Sequence, residues 1–514
     1  MAGLVGNPKM NRNARWLLAA FYLLLSLGGL TMVYPFWLML SGSVSGSFDF
    51  KERALVPRYL YDRDELFQKF LVQRYSDFKS LCAIYGVGDA LRPSDLRGRI
   101  PAPHQPPSSA LVADWRHFLQ SAADPAWLTV ADKERATFLY REWLEKRFSA
   151  PAPADKNDPS WDRRTPIERL NSRYRLMEQT FAFISLPEWK PGQGTQGPIH
   201  ADYLEFLKSL PPEYLIPIGA GGAAPSTATT ADAPDSILRG WVNFLRSKYG
   251  TDSALAAAWQ TPGASFDTLT MPYQAEDAFE FVGNESALRW RMASENYRWV
   301  LKFLFQRGRA FQNTLILVVT SIVVALLLNP LAAYAISRFP GRHSRMAMLL
   351  MILTIAFPAE VAMIPSFLLL RDFHLLNTFA ALILPGAVSG FSVFLLKGFF
   401  DGLPEELFES ATLDGAGELQ VFWSIVLPLS RPILAVIALG TFTAAYGGYM
   451  WALLVCQDPE MWTLMVWLFQ FQITHAQMPW LGMAAFAVAS IPTLLVFLFC
   501  QRLILRGIII PTEK

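Results

Sequence analysis

The sequence predicts an all-α membrane protein, with six transmembrane helices and a mainly α-helical soluble insertion between the first and the second. Three observations predict it. The 514-residue chain is 52% hydrophobic and only 17% charged, whereas an ordinary soluble domain is about a quarter charged. Six apolar runs are long enough to cross a hydrocarbon core of about 30 Å. The first run stands apart from the other five, and residues 44–305 between them carry mixed polar and apolar residues at helical spacing.

Taken in order, the first run is "WLLAAFYLLLSLGGLTMVYPFWLML", residues 16–40. It is too long for a signal-peptide core and has no convincing small-residue cleavage site, so it is expected to stay in the membrane. The others fall at 311–337, 346–370, 375–399, 432–456 and 480–504. This divides the chain into 1–43 (N-terminus and first span), 44–305 (insertion) and 306–514 (spans two to six, with a loop at 401–432).

Basic residues orient the spans, because cytoplasmic loops are enriched in Lys and Arg. Lys9, Arg12 and Arg15 precede the first span, Arg338, Arg342 and Arg345 fill the second link, and Arg502, Arg506 and Lys514 close the chain. These segments alternate correctly for one face. Arg307 and Arg309 point the other way, but the rule discounts charges attached to long translocated domains. Both termini and the 401–432 loop are therefore expected in the cytoplasm, with residues 44–305 outside.

The remaining composition excludes other classes. Forty-five basic and forty-three acidic residues nearly cancel, which leaves no nucleic-acid footprint. Cys82, Cys456 and Cys500 are far apart and have no metal-ligand spacing, so neither a disulfide framework nor a metal site is expected. There is no G-x-x-x-x-G-K-[ST] phosphate loop, so no nucleotide cofactor is expected in this chain.

The stretch "GLPEELFESATLDGAGELQVFWSIVLPLSRP" interrupts the apolar texture and reads as a helix, a turn and a second helix. Pro404 suits the first helical position, and Glu405 and Glu406 complement the positive helix start. Asp414-Gly415 ends the run with turn chemistry. Leu407, Phe408 and Ala411 give the first helix an apolar face, while Val421, Phe422 and Ile425 give one to the second, which Pro428 is expected to stop. Such a hairpin is either a docking surface for a partner or an amphipathic connector lying on the membrane interface.

The spaced pattern Glu409-Ser410-Ala411, Asp414-Gly415-Ala416, Ile425, Leu427, Pro428, Leu429 resembles the cytoplasmic Glu-Ala-Ala loop of permease subunits of binding-protein-dependent ABC importers. Only Ser410 departs from the three-residue opening. "NTLILVVTSIVVALLLNPLAAYAISRFPGR", "FPAEVAMIPSFLLL" and "LLNTFAALILP" further resemble carbohydrate importers similar to the smaller maltose-transporter permease. The resemblance covers roughly residues 311–510 and does not reach the insertion. It implies six transmembrane helices of the ABC importer permease type and no catalytic residue in this chain. It implies as partners a cytoplasmic ATP-binding subunit dimer carrying ATP and Mg, a second permease subunit, an extracytoplasmic solute-binding protein, a sugar and the lipid bilayer. In that setting Glu409 would bond to the ATPase or brace the loop, Gly415 would permit the turn, and Leu407, Phe408 and Ala411 would fill the partner's groove. The location implied is a bacterial inner membrane.

Four further residues bear on a transport path. Glu360 is an ionisable group inside an apolar run, flanked by Pro358 and Pro365. Such a group faces either a cavity or a hydrogen-bonding neighbour, since a carboxylate in lipid is costly. Tyr446, Tyr449 and Trp451 offer flat faces to sugar rings, or serve as interface belt and packing.

In the insertion, "FLVQRYSDFKSLCAIYG" at 70–86 matches "FLRSKYGTDSALAAAWQ" at 244–260, with a weaker echo in "WLEKRF" at 143–148. The unit reads as a helix, a turn and a short second helix, so an array of helical pairs is expected. "PAPHQPPSSA" and "GAGGAAPSTATTADAPDS" read as flexible segments. The repeats resemble short helical segments of some glycoside hydrolases. A glycosidase, however, needs two carboxylates at a set separation on a rigid frame, and few strand runs are present to hold them. Two competing readings remain, a membrane-anchored glycan-binding or glycan-active protein and an importer permease for a non-sugar solute.

Overall fold

The computed structural model describes residues 12–75, 77–149, 164–178, 181, 184–187, 197–217, 233–306, 309–356 and 358–507. The "GAGGAAPSTATTADAPDS" stretch lies outside these residues as far as residue 232. The chain divides into two units, Met1–Ser294 and Glu295–Lys514.

The first unit begins with α1 (Arg12–Ser43), whose apolar side chains are largely exposed. Three helical hairpins follow. The first is α2 (Arg63–Arg74) with α3 (Phe78–Ile84), and α4 (Ser109–Ser121) and the short strand β1 (Leu128–Val130) come next. The second is α5 (Lys133–Phe148) with α6 (Pro166–Tyr174), followed by α7 (Pro198–Ser209) and β2 (Leu215–Pro217), which pairs antiparallel with β1. The third is α8 (Ala233–Tyr249) with α9 (Asp252–Trp259), and α10 (Tyr273–Phe281) comes after it. Each hairpin's second helix starts on a capped N-terminus. Asp77, Thr165 and Thr251 accept backbone N–H bonds there, and Thr165 completes a capping box with Glu168.

One arrangement recurs in all three hairpins. A cation and hydroxyl or indole donors converge on a buried aspartate of a separate helix. Arg74, Tyr75 and Tyr85 bond to Asp277 at 2.7, 2.7 and 2.8 Å. Arg147, Arg173 and Tyr174 bond to Asp202 at 2.9, 2.9 and 2.8 Å. Lys248, Tyr249 and Trp259 bond to Asp114, the last two at 2.7 and 2.8 Å. Four residues beyond each aspartate stands a phenylalanine, and it packs on an aromatic of the same hairpin: Phe281 on Phe67, Phe206 on Tyr140 and Phe118 on Trp241. A buried carboxylate is tolerated only when paired and hydrogen-bonded, so each clamp fixes one hairpin against one helix.

The helix α11 (Glu285–Gln306) carries the chain into the second unit, where Trp299 and Phe303 lie against Trp467 and Phe471. Then follow α12 (Ala310–Arg338), α13 (Arg342–Ala356), α14 (Ala359–Asp372), α15 (Phe379–Ile383), α16 (Gly390–Phe400), α17 (Glu405–Leu413) and α18 (Glu418–Val421). A π-helical turn over Phe422–Val426 leads to α19 (Leu427–Leu429), α20 (Arg431–Gly447), α21 (Tyr449–Val455), α22 (Leu464–Thr474) and α23 (Pro479–Gly507).

Among the described residues, three helices can cross a bilayer alone by length and apolarity, Trp16–Ser43, Ala310–Arg338 and Pro479–Gln501, and up to six spans result if each bent pair counts as one. The expected runs at 346–370, 375–399 and 432–456 are broken. Pro358 caps α14, because it has no N–H with which to continue a helix. A 47° bend separates Phe379–Gly386 from Gly390–Asp401, and α20 stops at Gly447. The short apolar helix α22, with Leu464, Trp467 and Phe471 buried, was not anticipated. Asn313 and Thr314 of α12 tie down the turn before it: Asn313 donates to the carbonyl of Glu460 at 2.7 Å, and Thr314 Oγ1 accepts from Leu464 N at 2.7 Å.

Candidate functional site: the 401–432 hairpin and the adjoining cavity

The hairpin grows from the end of α16, where Asp401 is held by Lys397 and by Ser337 Oγ at 2.6 Å. Pro404 is the residue before α17 rather than its first member, leaving Glu405 and Glu406 in the exposed first turn. At the other end Gly415 has φ +78°, and Gly415 N and Ala416 N bond to the carbonyls of Thr412 and Ala411, both at 3.0 Å. This is a Schellman closure, in which the left-handed residue lets two late carbonyls find donors. Asp414 and Gly415 thus make the tight turn that the sequence indicated.

The apolar face divides differently from the expectation. Phe408 and Ala411, expected to fill a partner's groove, are buried in this chain's own core with Val393, Phe400, Val421, Phe422 and Val426. Ala416, Ile425 and Leu427 pack partly against that core, and Leu407 is half-buried. The outward apolar groups are others: Leu413 (88% exposed), Leu419 (70%) and Trp423 (55%). Glu409 and Pro428 are exposed as well. Pro428 does not stop the second helix. The π-helical turn just before it widens the backbone where its ring would otherwise clash with the carbonyl four residues earlier. The chain breaks instead at Ser430, and α20 leaves at 80° to Glu418–Leu429.

Three residues that sequence reasoning missed hold the hairpin in place. Tyr334 on α12 donates to Glu418 Oε2 at 2.6 Å. Arg338, one turn further on, lies 3.6 Å from Glu418 and stacks its guanidinium over the Phe408 ring at 4.6 Å. The signal was present in the i, i+4 spacing of Tyr334 and Arg338 at the end of an apolar run, but no periodicity names a partner 84 residues away. Glu409, the expected brace, has that role taken by Glu418.

A cavity of about 470 Å³ lies between α12, α14, α20 and the bent α15 segment, and Trp451, Ser321, Ser366 and Thr441 are among its lining residues. Trp451 also donates from Nε1 to the Ala381 carbonyl at 3.0 Å. The other path candidates fall elsewhere. Glu360 is exposed on α14, outside the lining to which Ala362, Met363 and Ser366 of that helix contribute. Tyr446 is buried, bonded to the Ala489 carbonyl and stacked on Phe442, which is a packing role. Tyr449 stands 5.7 Å from Phe469.

A hairpin buried on one face and apolar on the other, attached to bent apolar helices, is the build of a helical membrane protein. Residues 328–510 match the family described as "Binding-protein-dependent transport system inner membrane component", and the chain belongs to that family. Within it the chain is a permease subunit, a multi-pass protein of the inner membrane. The Polygalacturonan/rhamnogalacturonan transport system permease protein YtcP of Bacillus subtilis is 32% identical over 41% of this chain and 80% of its own length. The sn-glycerol-3-phosphate transport system permease protein UgpE of Yersinia pestis is 34% identical over 39% of this chain and 73% of its own. A solved bacterial ABC transporter involved in the import of the acidic polysaccharide alginate aligns with 40% of this chain and 78% of its own, at 27% identity and a TM-score of 0.36.

Proposed function

We propose that this chain is the membrane-spanning subunit of an ATP-driven importer, that it forms part of the path for a sugar or oligosaccharide, and that the 401–432 hairpin couples it to a cytoplasmic ATPase dimer. Six crossings then comprise α1, α12, the α13–α14 pair, the α15–α16 pair, α20 with α21, and α23. Both termini lie in the cytoplasm and residues 44–305 outside, where a solute-binding protein delivers the sugar. A second permease subunit completes the path. ATP and Mg reside on the ATPase, and this chain needs no cofactor.

The observation that carries this reading is the division of the hairpin's apolar surface. Phe408 and Ala411 anchor it to the body, while Leu413, Leu419 and Trp423 face outward on a loop that Glu418 holds to α12. Apolar groups that a chain does not bury itself mark an interface. A rigid attachment lets motion of a partner reach α12 and α20 without being absorbed in the loop. Trp451 and the hydroxyls of Ser321, Ser366 and Thr441 give the cavity an aromatic face and polar groups suited to a sugar.

The test is affinity purification of the tagged chain in mild detergent, with Leu419→Asp plus Trp423→Asp compared to wild type. The ATPase subunit is expected to copurify with wild type and to be lost from the variant, while the second permease remains. An ATPase that stays bound to the variant would overturn the assignment of the outward face. A non-sugar solute is a second reading, favoured by the name that UgpE carries; uptake assays with sn-glycerol 3-phosphate against neutral oligosaccharides separate the two.

A further inference from the structure

The chain leaves α1 through a turn that folds back along the helix. Trp37 Nε1 donates to the Leu55 carbonyl at 2.8 Å, and Ser41 Oγ donates to the Ala54 carbonyl. Trp37 lies six residues before Ser43, the last of α1, which at 1.5 Å per residue is about 9 Å along the axis. Helical side chains tilt toward the N-terminus, so the indole is directed away from the end at which the chain leaves. Leu55 is therefore held alongside the span itself. Residues Trp16–Ser43 are long and apolar enough to cross a bilayer, and none of their most apolar stretch is buried by the rest of the chain.

The turn is fixed in place. Tyr59 donates to the Val44 carbonyl at 2.7 Å, and Lys69 of α2, itself buried, pairs with Asp49 at 3.0 Å. Asp49 also accepts from Gly46 N at 2.7 Å. Pro57 and Tyr59 are buried, yet Leu55 and Val56 just before them are 52% and 47% exposed. Exposed Lys51 and Arg53 stand on one side of this apolar pair and exposed Arg58 on the other. Arg58 has Glu65 at 3.9 Å, while Lys51 and Arg53 have no acidic partner among the described residues. An apolar tip flanked by cations is the pattern of segments that lie in a membrane interface, with apolar groups at the acyl boundary and Lys or Arg among the phosphates. Tryptophan at that depth belongs to the same interface.

We propose that residues 51–58 are a lipid anchor, with Leu55 and Val56 inserted at the boundary of headgroups and acyl chains in the leaflet where α1 ends. The partner is lipid because the pair continues the exposed apolar surface of α1 and is bracketed by cations suited to anionic headgroups. Since Tyr59 and Lys69 tie the same segment to the end of α1, the anchor seats the first helical hairpin on the membrane surface. It rests on α1 crossing the bilayer and not on the import reading.

The test uses the full chain with its three cysteines replaced by alanine, in vesicles of phosphatidylethanolamine and phosphatidylglycerol. A nitroxide is attached at Leu55→Cys, Val56→Cys, Leu30→Cys or Met177→Cys. Oxygen concentrates among acyl chains and a nickel chelate stays in water, so the ratio of their collision rates with the label reads its depth. Leu30, 70% exposed within α1, is the lipid reference, and Met177, 98% exposed after α6, is the aqueous one. The ratio at residues 55 and 56 is expected severalfold above that at Met177 and below that at Leu30. A ratio equal to that at Met177 overturns the proposal. Labels at 55 and 56 that meet neither reagent are covered by protein, which overturns it as well. A water-exposed Leu30 would remove the crossing of α1 and the anchor together, whereas a lipid-facing Leu30 with water-exposed 55 and 56 removes the anchor alone.

Discussion

The phenol of Tyr334 donates a 2.6 Å hydrogen bond to Glu418, joining α12 to the first turn of the hairpin's second helix. Arg338 approaches the same carboxylate at 3.6 Å and covers Phe408, so one side chain gathers contacts from both helices of the hairpin. Glu418→Ala removes the acceptor from both. A hydrogen bond to a charged group contributes about 1.5–3 kcal/mol, and partial exposure of the pair argues for the lower end. Hydrogen exchange over residues 418–426 is expected to speed up by roughly tenfold. Glu409→Ala, at an exposed position, is expected to leave that exchange unchanged.

Gly415 is a purely conformational requirement. A Cβ there would meet nothing within 4 Å, but φ is +78°. Gly415→Ala should therefore cost about 1–2 kcal/mol in backbone strain alone, and Gly415→Asn less, since asparagine visits this region more readily. Exchange at residues 412–416 reads the difference. Equal protection in both variants would show that the turn is not held in the left-handed form.

How much of this was legible follows from the range of the signals. Hydropathy located α1, α12 and α23, and the turn chemistry of Asp414-Gly415 located the hairpin, because each is written in neighbouring residues. Helix breaks inside apolar runs were underestimated: Pro358 and Gly448 interrupt helices without interrupting hydropathy. The burial of Phe408 could not be read, since an amphipathic face looks the same whether its partner is the chain's own α16 or another subunit. The clamps were half legible. Matching hairpins appeared at 70–86 and 244–260, but Asp277, Asp202 and Asp114 lie on other helices, and only the fold brings them to their donors.

The first and third clamps titrate in opposite directions. Burial pushes Asp277 up to about 6, against the pull of Arg74, Tyr75 and Tyr85, and Glu276 adds to the rise. Arg74 also has Glu276 and Glu280 at 3.8 Å, so its charge is divided. At Asp114 burial also acts upward, but hydrogen bonds from Lys248, Trp259 and Tyr249 outweigh it and hold the carboxyl below its ordinary value. A raised folded-state pKa contributes stability that is fully present below the unfolded value of 3.8 and is lost as pH rises through about 6. The first hairpin should thus gain local stability between pH 7 and pH 5, by roughly 1.4 kcal/mol per unit of titration below 6. The third should be flat over that range and weaken only in more acid solution, where Asp114 takes up its proton. Hydrogen exchange of α2–α3 and α8–α9, corrected for intrinsic rates, measures both. Asp277→Asn is expected to abolish the slope in the first hairpin and leave the third untouched.

A close approach between two apolar helices makes one small residue indispensable. Gly390, the first residue of α16, lies so near α13 that an added Cβ would stand 2.3 Å from the Met351 carbonyl oxygen and 2.6 Å from Thr354 Oγ1. The threonine could rotate, but the backbone oxygen cannot move without shifting α13. Asn329 tightens this junction from the other side: its Oδ1 accepts from Ser389 N at 2.8 Å, holding the start of α16 against α12. Small residues permit such approaches between membrane helices, and overpacking costs about 1–3 kcal/mol or more where neighbours cannot yield. Gly390→Ala is therefore expected to reduce the yield of folded, monodisperse chain severalfold, read by fluorescence-detected size exclusion. Gly398→Ala, on the same helix with open space around its Cβ, is expected to match wild type. If the two variants behave alike, α13 and α16 do not meet at Gly390, and the bent α15–α16 segment is not held where the cavity beside Trp451 requires it.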